Sequence, residues 1–285
     1  MAVLDFAAYA QKLASENNAQ TMLPVIEKEL LHHEIIRAMG ESGLLSNLVF
    51  QGGTCLRLCY GAPRHSEDLD FAGGVDFSAS DLDELKGCII QALANRYSVA
   101  VDVAEPKNDS SLVKKWSIRI NTAPQRLDLP AQKISLEVAS VPAYTKLPKM
   151  VQLNYEGLPS SYGDTILFAE SLEEILADKL EAFVCSGHIR HRDIWDMYWI
   201  MRRPNINLRE ALILREKKEI DYGEQEKFKT GLVRVTEQLG SIVNGREFEA
   251  QMRRFLPAGL REKTIGRKEF RELLATGIRE LYAGC

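Results

Sequence analysis

The first periodic stretch of the chain, residues 4 to 42, carries apolar positions at helical spacing and predicts helices. Within it, Val25 to Met39 puts Ile26, Leu30, His33 and Arg37 on one side and Leu31, Ile35 and Met39 elsewhere, so its amphipathicity is blurred. After Gly43 the period changes. Leu48-Val49-Phe50 is a short apolar run that ends at Gly52-Gly53, as a buried strand ends, and a short helix is predicted over Thr54 to Tyr60. Asp68-Leu69-Asp70-Phe71 alternates polar and apolar. Ser80 to Tyr97 reads as a helix with Leu82, Leu85, Ile89, Ile90 and Leu93 as its core stripe. Ser98 to Ala104, Trp116 to Asn121 and Lys133 to Ala139 alternate and read as strands.

From Val141 to Gly163 the periodicity is lost among Pro142, Pro148, Pro159, Gly157 and Gly163, and the domain junction is expected there. Beyond it the pattern is helical to the end, opening on a capping-box signature in which Ser171 precedes Glu174 by three residues. The expected fold is therefore α/β of the α+β kind. Residues 1–165 would form a mixed sheet with flanking helices and residues 166–285 an all-α half. No internal repeat or low-complexity tract interrupts this reading.

Composition adds compartment and partners. The 285 residues are 45% hydrophobic, enough for a substantial core. Five cysteines, an odd number without CxxC pairs, argue against a disulfide framework or a structural zinc cluster and for a reducing cytoplasm. The N-terminal Met1-Ala2-Val3-Leu4-Asp5 has no basic region leading into an apolar run, and no stretch is long enough to span a bilayer, so no membrane role is expected. The net charge of −4 is unevenly spread. Ser66 to Glu84 holds seven acidic residues and no Lys or Arg, which suits a cation-binding pole. Arg246 to Arg279 holds nine basic residues against five acidic ones, and this excess of four suits either a solvated helical face or a phosphate-contacting surface.

Gly52-Gly53-Thr54, between a strand and a helix, lets the backbone approach an anion at a helix N-terminus, although two glycines there also make an ordinary tight turn. Asp68 and Asp70 follow closely. At strand spacing they project from one face while Leu69 and Phe71 project from the other. Two adjacent carboxylates repel unless a cation joins them, and hard oxygen ligands select Mg²⁺ or Mn²⁺ held jointly by carboxylates and substrate phosphates; a solvated acidic strand edge is the alternative. In the helical half, Lys179 lies on the apolar stripe Leu172, Ile175, Leu176, Phe183 and needs an acid or a polar cleft. Asp196, in the almost wholly apolar run Ile194 to Met201, needs a partner too, and a buried Lys179–Asp196 or Arg192–Asp196 pair would serve. Cys185, His188 and His191 are spaced like metal ligands but lack a regular fourth, and Trp195, Tyr198 and Trp199 suit a core better than base stacking.

The runs Gly52-Gly53-Thr54-Cys55-Leu56-Arg57-Leu58 and Arg64-His65-Ser66-Glu67-Asp68-Leu69-Asp70-Phe71 resemble the abortive-infection nucleotidyltransferase toxins of the AbiEii/AbiGii type, within the polymerase-β-like superfamily. Leu176-Ala177-Asp178-Lys179-Leu180-Glu181-Ala182 and Arg190-His191-Arg192-Asp193-Ile194-Trp195-Asp196 resemble that family's two later motifs. The resemblance implies nucleotide binding by Gly52, Gly53, Thr54, Arg57 and Ser66, with Lys179 and Arg192 on the phosphates. It implies metal binding by Asp68 and Asp70, and catalysis by these with Lys179, Asp193 and Asp196. A third metal carboxylate is expected from Glu137, with Asp102 competing. The implied activity is Mg²⁺- or Mn²⁺-dependent transfer of a nucleoside monophosphate from a nucleoside triphosphate to an acceptor hydroxyl. The helical half would complete the active-site cleft. The implied setting is a bacterial toxin–antitoxin or phage-defence pair, with tRNA as acceptor and a cognate antitoxin as partner. A small-molecule acceptor such as an antibiotic, a protein side chain, a non-catalytic nucleotide- or partner-binding module, and a DxD glycosyltransferase are the rival readings. The last leaves the glycine turn and Lys179 unexplained.

Overall fold

A computed structural model describes residues 4–107, 110–123 and 131–285, so the expectation about the N-terminus falls in part on Met1 to Val3, outside the described residues. The chain divides into two compact units, Met1–Ala169 and Glu170–Cys285. The first contains helices α1 (Phe6–Glu16), α2 (Leu23–Glu41), α3 (Gly52–Tyr60) and α4 (Leu85–Tyr97). Its strands are β1 (Val49–Gln51), β2 (Leu69–Ala72), β3 (Ala100–Ala104), β4 (Val113–Asn121), β5 (Gln132–Ala139), β6 (Leu147–Met150) and β7 (Ile166–Ala169). Among the described residues these strands form one seven-stranded mixed sheet in the order β3-β4-β5-β2-β1-β7-β6. The β1–β7 and β2–β5 pairs are parallel and the others antiparallel.

Alternation decides which side of the sheet becomes core. Along β4, Trp116, Ile118 and Ile120 are buried, and so are Ile134, Leu136 and Val138 of β5 and Leu69 and Phe71 of β2. Phe50 and Phe71, register partners on β1 and β2, stack with ring centroids 5.0 Å apart. Lys115, Glu137, Asp70 and Gln51 take the opposite parity and the opposite face.

Two boundaries differ from expectation. The junction expected in the proline-rich stretch 141–163 lies later, between Ala169 and Glu170, and the stretch itself carries β6, buried Tyr155 and buried Tyr162. Because β7 then pairs with β1, Phe50 opposite Ala169, sheet hydrogen bonding carries the first unit past residue 165 to Ala169. A single helix over Ser80 to Tyr97 is also replaced, by a 3₁₀ turn at Ala79–Leu82 followed by α4. Ser78 and Asp81 cap each other reciprocally and close that tight turn.

The blurred pattern of α2 has a physical cause. The helix is buried nearly all round, and Glu29, His32, His33 and Glu34 lie inside with Ile26, Leu30, Leu31 and Ile35. Glu29 accepts from Asn154 Nδ2 at 2.7 Å, Tyr155 Oη at 3.0 Å and Arg57 Nε at 3.1 Å. Burial alone would raise its carboxyl, but Arg57, His65 and His33 hold it at about 2. His32 donates from Nε2 to the Glu67 carbonyl at 3.0 Å. His33 stacks on Tyr162 at 5.2 Å, and neither of its ring nitrogens has a hydrogen-bond partner among the described residues.

Burial lowers both histidines to about 4. A base with a depressed folded pKa contributes stability that is complete above its ordinary value near 6.5 and is lost as the pH falls toward 4. Stability should therefore decline from pH 6.5 to 4.5, before Glu29 begins to protonate. His33→Phe keeps the stacking and removes two orphaned nitrogens. It should add about 1–2 kcal/mol at pH 7 and roughly halve that decline, read from urea unfolding at pH 7, 5.5 and 4.5. A variant that is less stable and equally pH-sensitive would mean His33 is engaged in the folded protein.

The second unit is helical: α5 (Leu172–Cys185), α6 (His191–Met201), α7 (Leu208–Tyr222), α8 (Gln225–Val243), α9 (Arg246–Phe255), α10 (Ala258–Lys263) and α11 (Lys268–Tyr282). Ser171 caps α5 by accepting from Glu174 N–H at 3.2 Å. Tyr282 of α11 donates to the Leu180 carbonyl of α5 at 3.0 Å. At the α5–α7 contact, fully buried Lys218 meets Glu174 at 2.8 Å, Glu170 at 3.0 Å and Asp178 at 3.4 Å. Trp195 and Trp199 are buried, as a core reading of the aromatic run expects. No described helix is long and apolar enough to cross a membrane.

Candidate active site

The glycine turn is tighter than its sequence suggests, because α3 begins at Gly52 rather than at Thr54. Gly52 has φ +76°, and a Cβ placed on it would lie 2.5 Å from Asp70 Oδ2. Both the left-handed backbone and this close approach demand glycine. A Cβ on Gly53 would lie 2.5 Å from Arg64 Nη2 and 2.8 Å from Ser66 Oγ. The turn thus packs directly on one acid, one guanidinium and one hydroxyl. The N-cap residue Gln51 makes no side-chain capping hydrogen bond, and a helix N-terminus presents N–H groups to an anion. The buried Thr54 hydroxyl donates to the Asp68 carbonyl and ties the helix start to the strand that carries the acids.

The acids themselves are arranged by strand register. Gln51 of β1, Asp70 of β2, Glu137 of β5 and Lys115 of β4 are successive cross-strand partners and form one polar row on the face opposite the core. Asp68, one residue before β2, accepts the Ser135 N–H of β5 at 3.2 Å through Oδ1. Asp70 and Glu137 are therefore neighbours, whereas Asp102 lies on edge strand β3 opposite Arg119, away from that row. Asp68, Asp70 and Glu137 supply hard oxygen donors of the kind a divalent cation takes, and beside them Gln51 Oε1 is buried with no hydrogen-bond partner among the described residues. Lys115 reaches Glu137 Oε1 at 2.6 Å, and Glu137 foremost, with Asp68 and Asp70, raises its pKa against the lowering effect of burial.

Arg57 does not share this face. Its guanidinium donates to Glu29, to the Ala62 carbonyl at 3.2 Å and to Tyr155 Oη at 3.4 Å, inside the buried network that carries α3 and the loop before β2. His65 completes that network with Nε2 2.6 Å from Tyr155 Oη. Arg64, Gln51 and Lys115 also reach this face, without a signal of their own in the local pattern of the chain. Arg64 stood in the recognised run beside Ser66, and it is 3% exposed with Nη1 donating to the His65 carbonyl at 2.6 Å. Gln51 and Lys115 carry no motif, and only register brings them to the acids.

In the helical unit Lys179 sits between both aspartates: Nζ is 2.9 Å from Asp193 Oδ1 and 2.8 Å from Asp196 Oδ2, and all three side chains are buried. Burial would raise the Asp193 carboxyl, but Lys179 and Arg190 hold it well below the usual range. Asp196 pairs with Lys179, and Arg192 lies over the Phe255 ring at 5.0 Å. Cys185, His188 and His191 part company. Cys185 donates to Glu181 at 3.0 Å, His188 meets Ser186 Oγ at 3.1 Å, and His191 faces Glu247 at 3.5 Å.

Residues 34–278 match the family profile described as the nucleotidyl transferase AbiEii toxin of type IV toxin–antitoxin systems. A search among curated proteins found no match. Among solved structures, the chain is similar to JHP933 from Helicobacter pylori at 19% identity, covering 91% of this chain and 95% of that one with a TM-score of 0.46. It is also similar to a candidate nucleotidyltransferase of H. pylori at 20% identity, covering 90% and 97% with a TM-score of 0.45.

Proposed function

Because the chain belongs to the AbiEii nucleotidyltransferase toxin family, we propose that it transfers a nucleoside monophosphate from a nucleoside triphosphate to an acceptor hydroxyl at the Gly52–Asp70 site. The observation that carries this reading is the contact between Gly52 and Asp70, which puts a helix N-terminus suited to phosphate against a carboxylate suited to a cation. Backbone N–H groups of Gly53 and Thr54 bind triphosphate oxygens, and Ser66 and Arg64 line the same turn. Asp68, Asp70 and Glu137 would hold Mg²⁺ or Mn²⁺, which supplies Lewis-acid activation of the acceptor oxygen and of the leaving pyrophosphate. The acceptor oxygen forms its bond to the α-phosphorus as the bond to pyrophosphate breaks. Lys179 and Arg192 are proposed to neutralise phosphate charge, with Asp193 or Asp196 orienting the lysine or accepting the acceptor's proton. Arg57, engaged by Glu29, supports α3 rather than touching nucleotide.

The acceptor we favour is RNA, tRNA in particular, in a bacterial defence setting with an antitoxin as partner. The basic excess in Arg246 to Arg279 supports it: Arg253 and Arg254 are exposed, and Arg261 is half-buried. Incubation with each labelled nucleoside triphosphate, Mg²⁺ and total cellular RNA or protein should label an RNA band. Label on protein or on a small molecule would replace the acceptor, and absence of metal-dependent triphosphate binding in calorimetry would leave a non-catalytic module. The triple variant Arg253→Gln/Arg254→Gln/Arg261→Gln should lower RNA labelling at least tenfold at physiological salt and flatten its salt dependence. Unchanged labelling would remove this surface from the acceptor site.

A further inference from the structure

The polar row of the sheet ends in a cation that nothing in the transfer reaction requires. Lys115 is the direct cross-strand partner of Glu137, its ammonium is 2.6 Å from Oε1, and Glu137 in turn neighbours Asp70. We propose that Lys115 is a resident counter-ion of Glu137, a positioning residue that a divalent cation must displace before it can take Glu137 as a ligand. The inference rests on the proposed metal-binding role of Asp68, Asp70 and Glu137.

The physical case is one of competition for a single carboxylate. The three acids would bring three negative charges to one strand end, and a neighbouring ammonium offsets one of them. The lysine side chain is 53% exposed and that of Glu137 is 33% exposed, so the pair is hydrated and weak enough to be displaced. A bare hydrated cation must break this pair with only the neighbouring carboxylates and water to compensate it. A cation already chelated by a triphosphate brings its own oxygens and needs less from Glu137. Lys115 therefore disfavours loading of free metal and favours metal that arrives with nucleotide.

The ordinary alternative is a cross-strand surface pair with no bearing on metal. Mn²⁺ affinity without nucleotide, measured by electron paramagnetic resonance on the full chain, separates the two. Lys115→Met should tighten Mn²⁺ binding about tenfold. Lys115→Arg, which keeps the charge, should stay near wild type. Lys133→Met, on the same face of β5 about 13 Å along the strand from Glu137, removes a charge without removing a competitor and should change affinity less than threefold. In a Glu137→Gln background the gain from Lys115→Met should vanish.

A gain that persists in that background, or that Lys133→Met matches, overturns the proposal while leaving the metal reading intact. Mn²⁺ binding that survives Asp70→Asn unchanged would instead overturn the metal reading, and the proposal with it. Circular dichroism of each variant verifies that the sheet is retained.

Discussion

Asp70→Asn should reduce nucleotidyl transfer by about a thousandfold or more while leaving the protein folded. The carboxylate sits where three structural constraints meet: the register pairing to Glu137, the pairing to Gln51, and the close approach of Gly52 to Oδ2. Asparagine is nearly isosteric, so the packing on Gly52 and the β1–β2–β5 ladder survive. What disappears is one unit of negative charge where a cation would be held, and several kcal/mol of transition-state stabilisation correspond to three or more orders of magnitude in rate. The measurement pairs labelled-nucleotide transfer with a thermal melt of the same sample. Wild-type transfer by the variant would sink the mechanism, and loss of the melt along with the activity would show that Asp70 is structural.

The second large effect is expected far from the chemistry, at Lys218. This side chain is fully buried among Glu170, Glu174 and Asp178 on the α5–α7 contact. Burial would lower its pKa, but Asp178, Glu170 and Glu174 hold it well above the ordinary lysine value. Burial in turn pushes the Glu170 and Asp178 carboxyls upward. Lys218→Met removes the positive charge that these three buried acids share. It should cost about 3–5 kcal/mol, a large share of a domain's stability.

The sign with pH is defined. Acids whose folded pKa is raised contribute stability that is present below their unfolded pKa and lost as the pH rises through the folded value. The variant should therefore be more stable at pH 5 than at pH 8. Adding Glu170→Gln, Glu174→Gln and Asp178→Asn should recover most of the loss. Circular dichroism melts at the two pH values decide it. A change under about 1 kcal/mol at pH 8 would mean that the cluster is solvated or otherwise compensated.

Local chemistry is legible along the chain: strands from period-two alternation, the glycine turn from a strand running into Gly52-Gly53, and the two-part order of sheet then helices. Its motifs also marked Lys179 and Asp196 as groups needing partners. These features are legible because each depends on residues a few positions apart. The rest came from packing between distant segments. Packing placed Glu137 rather than Asp102 beside Asp70, and it turned Arg57 toward Glu29 rather than the glycine face. It also drew β7 into the first unit and set Gln51 and Lys115 in the acidic row. The sheet features among these depend on strand order and register between segments as far as 119 residues apart, as Val49 and Phe168 are. Register follows from burying one whole sheet face at once, so no single segment contains it.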